Sequence, residues 1–408
     1  VHAAALTLRA EVMNVTNYLC KEFPSHETFA AHKFTFNYIC LCNLLFNRCR
    51  MKKIRRYLTT FVVCLLLAAV CLFIENRITT REYSTIEVAA GTNGDYIKWV
   101  DFNVSYEALC AAYELDVQSY DAPVHLNWIE LLAYAGAKNG GTFGKDSVSL
   151  IKKLASELSE GKTTLKELTK DMKYYDYYYE AYEAILGGMV GEYEIEQEDE
   201  SGTKIWKKVY GLKAFSPIAK GFEYSDYDDF GSSRSYGYKR QHLGHDMMGQ
   251  IGTPVIAIES GYVEALGWNQ YGGWRIGIRS FDGKRYYYYA HLRQNFPYAL
   301  DLKEGSVVTA GDVIGYMGHT GYSTKENTNN IDTVHLHWGL QLIFDESQKE
   351  GNNEIWVDCY ALTRFLYKNR SLTEKNQETK EWLRHFQMKD PAVLEYTKDS
   401  LPKATPDA

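Results

Sequence analysis

The signatures missing from this sequence each remove a class of protein. No H-E-x-x-H segment occurs, so a glutamate base presented on a zinc-binding helix is not available. No C-x-x-C pair suggests a structural zinc site. Of the eight cysteines, four precede Met51, two lie between Tyr57 and Ile74, and only Cys110 and Cys359 remain beyond. A disulfide between those two is open, but two buried thiols are the simpler expectation. There is no basic stripe and no RNA-binding signature. With a net charge of −7, this argues against nucleic acid as a partner.

What is present is concentrated in two short clusters. The first is His242-Leu243-Gly244-His245-Asp246, an H-x-G-x-D pattern; the second is His335-Leu336-His337. Between them lies Tyr289-Ala290-His291-Leu292. Thr333-Val334 before and Trp338 to Phe344 after mark His335 and His337 as strand residues. Alternation then puts both imidazoles on one face and Leu336 on the other. The same alternation through Tyr286 to His291 predicts that His291 shares the face of Tyr287 and Tyr289. His242 and Asp246 have helical spacing, but Gly244, Gly249, Gly252 and Pro254 predict a loop feeding a strand. Two histidines and an aspartate suit a zinc ion with one position left open for water, and two more histidines are available for acid–base work.

From Tyr236 to Phe344 the sequence resembles the lysostaphin/LytM-type zinc metallopeptidases, which cleave peptide bonds in bacterial peptidoglycan. The resemblance rests on H-x-G-x-D, Gly252 to Ala257, Gly261-Tyr262-Val263, Tyr289 to Leu292, a hairpin over Gly305 to Gly315, Gly318 to Gly321, and H-L-H, in that order. It implies a mainly β catalytic domain, an antiparallel sheet with an open groove. It also implies one zinc ion on His242, Asp246 and His337, with His335 and His291 acting on the reaction and a peptidoglycan peptide as substrate. His335 is the expected base and His291 the oxyanion stabiliser, with the two roles interchangeable. His245, where the family usually carries an aliphatic residue, is expected to pack; His319 is expected to be structural or groove-lining. A non-catalytic wall-binding or scaffold protein of the same fold is the alternative, although such proteins typically lose zinc ligands.

The rest of the chain has room for further modules. Met51-Lys52-Lys53-Ile54-Arg55-Arg56 precedes an uncharged stretch from Tyr57 to Ile74. As a helix that stretch spans about 27 Å, close to the hydrocarbon thickness of a bilayer. The positive charges predict a cytoplasmic N-terminal side and an extracytoplasmic catalytic domain. No A-x-A site follows, which favours an uncleaved transmembrane anchor over 51–74 rather than a signal peptide. Residues 1–50 read as an upstream over-extension or cytoplasmic tail, with Met51 as the start, and 75–98 as a spacer. A small α-helical domain is expected over 99–193, its Trp128 to Ala133 segment structural or wall-binding rather than lysozyme-like. Residues 194–235 are expected as linker and first strands, the zinc domain as 236–345, and 346–408 as a helical extension with a disordered end from Lys398. A loop over Ser225 to Tyr238 is expected to wall the groove near His242, and one over Asn327 to Asn330 to gate the site. The tyrosines are dense from Tyr174 to Tyr289, which suits β-structure or a peptide- or sugar-contacting surface.

Overall fold

The computed structural model describes residues 97–235, 239–349 and 353–400. All lie in one compact unit, Thr92–Ala408. The over-extension, Met51, the anchor over Tyr57 to Ile74 and nearly all of the spacer fall outside the described residues. Among the described residues no helix is long and apolar enough to cross a membrane.

Among the described residues five helices come first: α1 (Tyr106–Gln118), α2 (Trp128–Asn139), α3 (Ser147–Ser159), α4 (Leu165–Thr169) and α5 (Tyr175–Leu186). Their ends are set by local chemistry. Ser105 caps α1 and Asn127 caps α2. Thr164 and Glu167 form a capping box on α4. Gly140 ends α2 in the left-handed conformation at φ 61°. Helix α2 is buried nearly all round, from Trp128 through Gly136, and forms the centre of this layer.

Strands β1 (Val190–Glu198) and β2 (Lys204–Leu212) follow as a fully paired hairpin. This corrects the expectation that helix runs to Tyr193 and that a linker begins at 194. The acidic run from Glu192 is one side of a set of cross-strand charge pairs: Glu192 with Lys208 at 2.8 Å, and Glu196 with Lys204 at 3.8 Å. Read along the chain it resembles a solvated linker, because its lysine partners lie beyond the turn.

Small strands β3 (Ser233–Ser235) and β4 (Lys239–Gln241) lead to β5 (His245–Met248), β6 (Pro254–Ile256), β7 (Gly261–Asn269), β8 (Gly273–Ser280) and β9 (Arg285–Ala290). Next come β10 (Val307–Val308), β11 (Val313–Tyr316), β12 (His335–Leu342) and β13 (Ile355–Val357). The main antiparallel sheet has the order β10-β7-β8-β9-β12-β13, and β5 pairs with the first half of β12. The expected hairpin over Gly305 to Gly315 does not form: β10 pairs with β7 and β11 with β6.

The C-terminal extension also differs from its expected helical form. Among its described residues a 3-10 turn (Glu346–Gln348), α6 (Tyr360–Leu366) and α7 (Pro391–Ser400) are helical; β13 joins the main sheet, β14 (Thr373–Lys375) pairs with β15 (Trp382–Arg384), and β16 (Met388–Lys389) adds to β1. Trp356 and Trp382 therefore pack from strands, because apolar residues in so short a segment serve either period. Helix α7 reaches Ser400, past the expected start of the tail. Cys110 and Cys359 are unpaired thiols.

The helices are not a detached module. Trp128 stacks on Phe365 of α6, with centroids 5.7 Å apart, and Trp338 of β12 donates to Thr363 of α6 at 3.1 Å. Arg285 of β9 donates to the Ala184 carbonyl at the end of α5 at 2.9 Å, where the helix dipole favours a cation. Its Nε and Nη2 meet Glu259 at 2.7 and 3.1 Å, and Tyr287 donates to the same carboxylate at 2.7 Å. Burial alone would lower the Arg285 pKa, but Glu259 outweighs it and raises it. A Cβ on Gly188 would stand 1.6 Å from Glu259 Oε1, so only glycine lets the chain leave α5 past this network.

Candidate metal centre

The centre forms where β5, β9 and β12 meet. In register, His337 lies opposite Asp246 on one side and Ala290 on the other. His335 and His337 share the groove face, whereas Leu336, fully buried, points to the opposite side. His242 sits in the loop before β5, fixed by its own backbone: its N–H donates to Ser232 O at 2.9 Å and its carbonyl accepts from Gly231 at 2.7 Å. Its Nδ1 donates to Asp229 O at 3.3 Å, which leaves Nε2 with a free lone pair.

Three donor atoms converge. His242 Nε2, Asp246 Oδ1 and His337 Nδ1 are separated by 3.0, 3.0 and 2.9 Å. They are the residues that could hold a metal ion together. A tetrahedral ion with ligands at about 2.0–2.1 Å has edges near 3.3 Å, so the donor spacing fits. Burial alone would raise the Asp246 pKa, but the adjoining imidazoles of His242, His337 and His335 outweigh it and hold the carboxyl far below the usual range. His337 is pushed down chiefly by burial, with Asp246 partly offsetting this.

The motif glycine has a steric reason. A Cβ on Gly244 would stand 2.6 Å from the His337 ring and 2.7 Å from the Trp338 carbonyl. His245, by contrast, turns away from the cluster: it is buried, bonds Asp226 at 2.9 Å and packs on Tyr360.

His291 reaches the same groove, but not by simple alternation. Register puts Tyr286, Tyr288 and Ala290 on the His337 face, and Tyr287 and Tyr289 on the opposite face with Trp338 and Leu340. Continued alternation would send His291 to the wrong side. Its φ of 61° breaks the strand and returns the ring to the groove, 4.7 Å from His335 and 5.9 Å from His337. The expected shared face with Tyr287 and Tyr289 is thus corrected. Burial, then the neighbouring His335 and His337, push the His291 pKa well down.

The accessory imidazoles have the same tautomer. His291 Nδ1 lies 3.0 Å from Thr320 O, and His335 Nδ1 lies 2.8 Å from Thr333 O. A carbonyl only accepts, so each Nδ1 carries the proton and each Nε2 a lone pair. His335 Nε2 stands 3.7 Å from Asp246 Oδ1. His319 bonds Ile331 O at 2.7 Å. Sequence reading missed Asp229 behind His242, and Arg234, which pairs with Asp229 and reaches Asp246 Oδ2 at 3.1 Å. It also missed the carbonyls of Thr320 and Thr333, and a backbone acceptor leaves no mark on residue identity.

A partly buried His–Asp–His triangle on a sheet floor, flanked by two imidazoles with open lone pairs, defines the class of metal-dependent hydrolase domains. Residues 240–350 match the profile of Peptidase family M23, and this domain belongs to that family. The chain is 34% identical over 160 residues to the L-Ala--D-Glu endopeptidase of Bacillus subtilis (strain 168), covering 39% of this chain and 47% of that protein. It is 44% identical over 98 residues to lysostaphin of Staphylococcus staphylolyticus, covering 24% of this chain and 18% of that one. The chain thus spans less than half the length of these relatives. A solved structure assigned as a glycyl-glycine endopeptidase lytM from Ruminococcus gnavus aligns with 28% identity over 68% of this chain and 92% of that chain, with a TM-score of 0.43.

Proposed function

We propose that this protein is a zinc endopeptidase that hydrolyses peptide bonds of bacterial peptidoglycan, held by its N-terminal segment at the outer face of the cytoplasmic membrane. The observation that carries the reading is the convergence of His242 Nε2, Asp246 Oδ1 and His337 Nδ1 within 3.0 Å of one another. Membership of the M23 family and the peptidase names of the relatives support it. A complete donor set also speaks against a scaffold role.

Zinc bound by these three side chains would supply a Lewis acid and bring the pKa of water toward neutrality. His242 is oriented for this by Asp229, and Asp246 by Arg234 on its remaining oxygen. His335, with its Nε2 lone pair facing the cluster, accepts the proton of the attacking water. His291, kept neutral by burial, cannot donate from Nε2 until it gains a proton. It therefore serves as a second acceptor, or stabilises the oxyanion once protonated.

The test is a zymogram on purified cell wall with wild type and His337→Ala, alongside zinc analysis. The expected result is clearing by the zinc-loaded wild type alone. Wild type without zinc, or equal clearing by the variant, would defeat the reading. Membrane attachment is tested by alkaline washing of membranes: release of the protein would refute an integral anchor.

A further inference from the structure

The β3–β4 hairpin that walls the groove places Arg234 directly opposite Arg240. Cross-strand partners share a face, and like charges in such positions destabilise a hairpin unless something answers them. Arg234 is answered by Asp229 and Asp246. Arg240 has no carboxylate partner among the described residues. Its guanidinium donates to the Tyr322 hydroxyl and lies over two rings, with centroids 5.0 Å away for Tyr322 and 5.7 Å for Tyr271. Its Nε is buried without a hydrogen-bond partner among the described residues.

This cation belongs to the reaction groove. The Tyr322 ring is 6.0 Å from the His291 ring, and the Tyr288 ring is 6.0 Å from that of His337. Burial raises the Tyr288 pKa, and the charges of Arg275 and Arg240 are among the influences that pull it back, so Arg240 acts electrostatically across the groove. A positive wall on a protein of net charge −7 is a local feature, not an overall bias.

Resting on the peptidase reading, we infer that Arg240 is a specificity residue that binds a carboxylate of the substrate beside the scissile bond, so that the preferred substrate is an acidic peptide rather than a neutral glycine chain. The guanidinium presents planar donors matched to a carboxylate; one is given to the Tyr322 hydroxyl, and stacking on Tyr271 and Tyr322 holds the plane with the others left for a substrate. A glycine peptide has no group to meet them.

The test uses the full chain, zinc-loaded, with three labelled peptides: one containing an Ala–Glu bond with a free Glu carboxylate, the same peptide amidated at that carboxylate, and pentaglycine. Hydrolysis is followed by chromatography and binding by fluorescence anisotropy. The acid form is expected to be bound and cut roughly ten- to a hundredfold better than the amide. Arg240→Gln should abolish that preference while still cutting the amide, and Arg240→Lys should restore part of it; circular dichroism checks the fold of both. Equal use of acid and amide by wild type, a preference that survives Arg240→Gln, or better use of pentaglycine would overturn the inference. Selective binding of the acid form without hydrolysis of any peptide would uphold Arg240 as the carboxylate site and defeat the peptidase reading instead.

Discussion

Strand β9 lies between two polar clusters, one on each side of the sheet, and the two are built to opposite ends. On the helix-facing side, Arg285, Glu259, Tyr287 and the α5 carbonyls exchange hydrogen bonds until the charges are answered. On the groove side, Asp246, His242 and His337 turn lone pairs toward one point, with His291 and His335 beside them. The first cluster is closed and joins the helical layer to the sheet. The second is closed only by a cation from outside the chain. The first is buried and the second partly buried, but it is the completeness of partners that separates a structural network from a reactive one.

Substitution at one cluster should therefore change chemistry, and at the other stability. His337→Ala should reduce cell-wall hydrolysis at least about a thousandfold, since it removes a metal ligand. The metal-free variant should melt close to metal-free wild type, because the lost imidazole is one of three lone-pair donors held within 3.0 Å of one another. A large loss of melting temperature in the metal-free variant would break the comparison. Arg285→Met should do the reverse. It strands Glu259 without its cation, and unfolding in urea should show a loss of about 3–5 kcal/mol. Zinc content should be unchanged in whatever remains folded, and Arg285→Met combined with Glu259→Gln should cost less than the sum of the two.

These contrasts also show what the sequence could disclose. His335-x-His337 was legible because β-branched and aromatic neighbours fixed a strand and alternation did the rest. Gly244 was legible as a loop signal, though its contact with the His337 ring was not. His291 was singled out for its motif but assigned to the wrong face, because φ at one residue overrides alternation and nothing in Tyr286 to Tyr289 announces it. Of the β1–β2 hairpin, β2 was legible as a first strand, but β1 and the C-terminal strands were misread for a different reason. Their pairing partners are distant or lie across a turn, so local charge and apolar spacing gave a linker and a helix. Arg234 and Asp229 were visible only as part of a groove-side loop, since their role depends on meeting His242 and Asp246 in space.

A smaller effect is expected at Gly244. Gly244→Ala drives a methyl group into the His337 ring, so the protein should lose about 1–3 kcal/mol. Zinc affinity should fall roughly ten- to a hundredfold as the ring swings. Competition with a chelator measures the second number; unaltered affinity would mean that His337 is less constrained by β5 than the contact distances imply.

The finest separation of the two faces is by pH, in the metal-free protein. His291 and His337 have folded pKa values below the unfolded value, about 6.5. Above that value both states are neutral and no stability depends on them. Below it the unfolded chain binds protons that the fold refuses, so stability falls as pH drops from 7 to 5, by at most about 1.4 kcal/mol per unit for each group. The Asp246 pKa is lowered too, but for a carboxylate this adds stability, present above about pH 3.9 and lost only at lower pH, so it contributes nothing to that slope. Arg285 stays charged throughout and contributes none either. His291→Asn, chosen because Asn tolerates the left-handed backbone at that position, should make the fall in melting temperature between pH 7 and 5 shallower, with the His337 share remaining, and Arg285→Met should lower it by the same amount at every pH. Parallel curves for His291→Asn and wild type would place the acid sensitivity outside the groove; a changed slope in Arg285→Met would mean that the two faces of β9 are coupled.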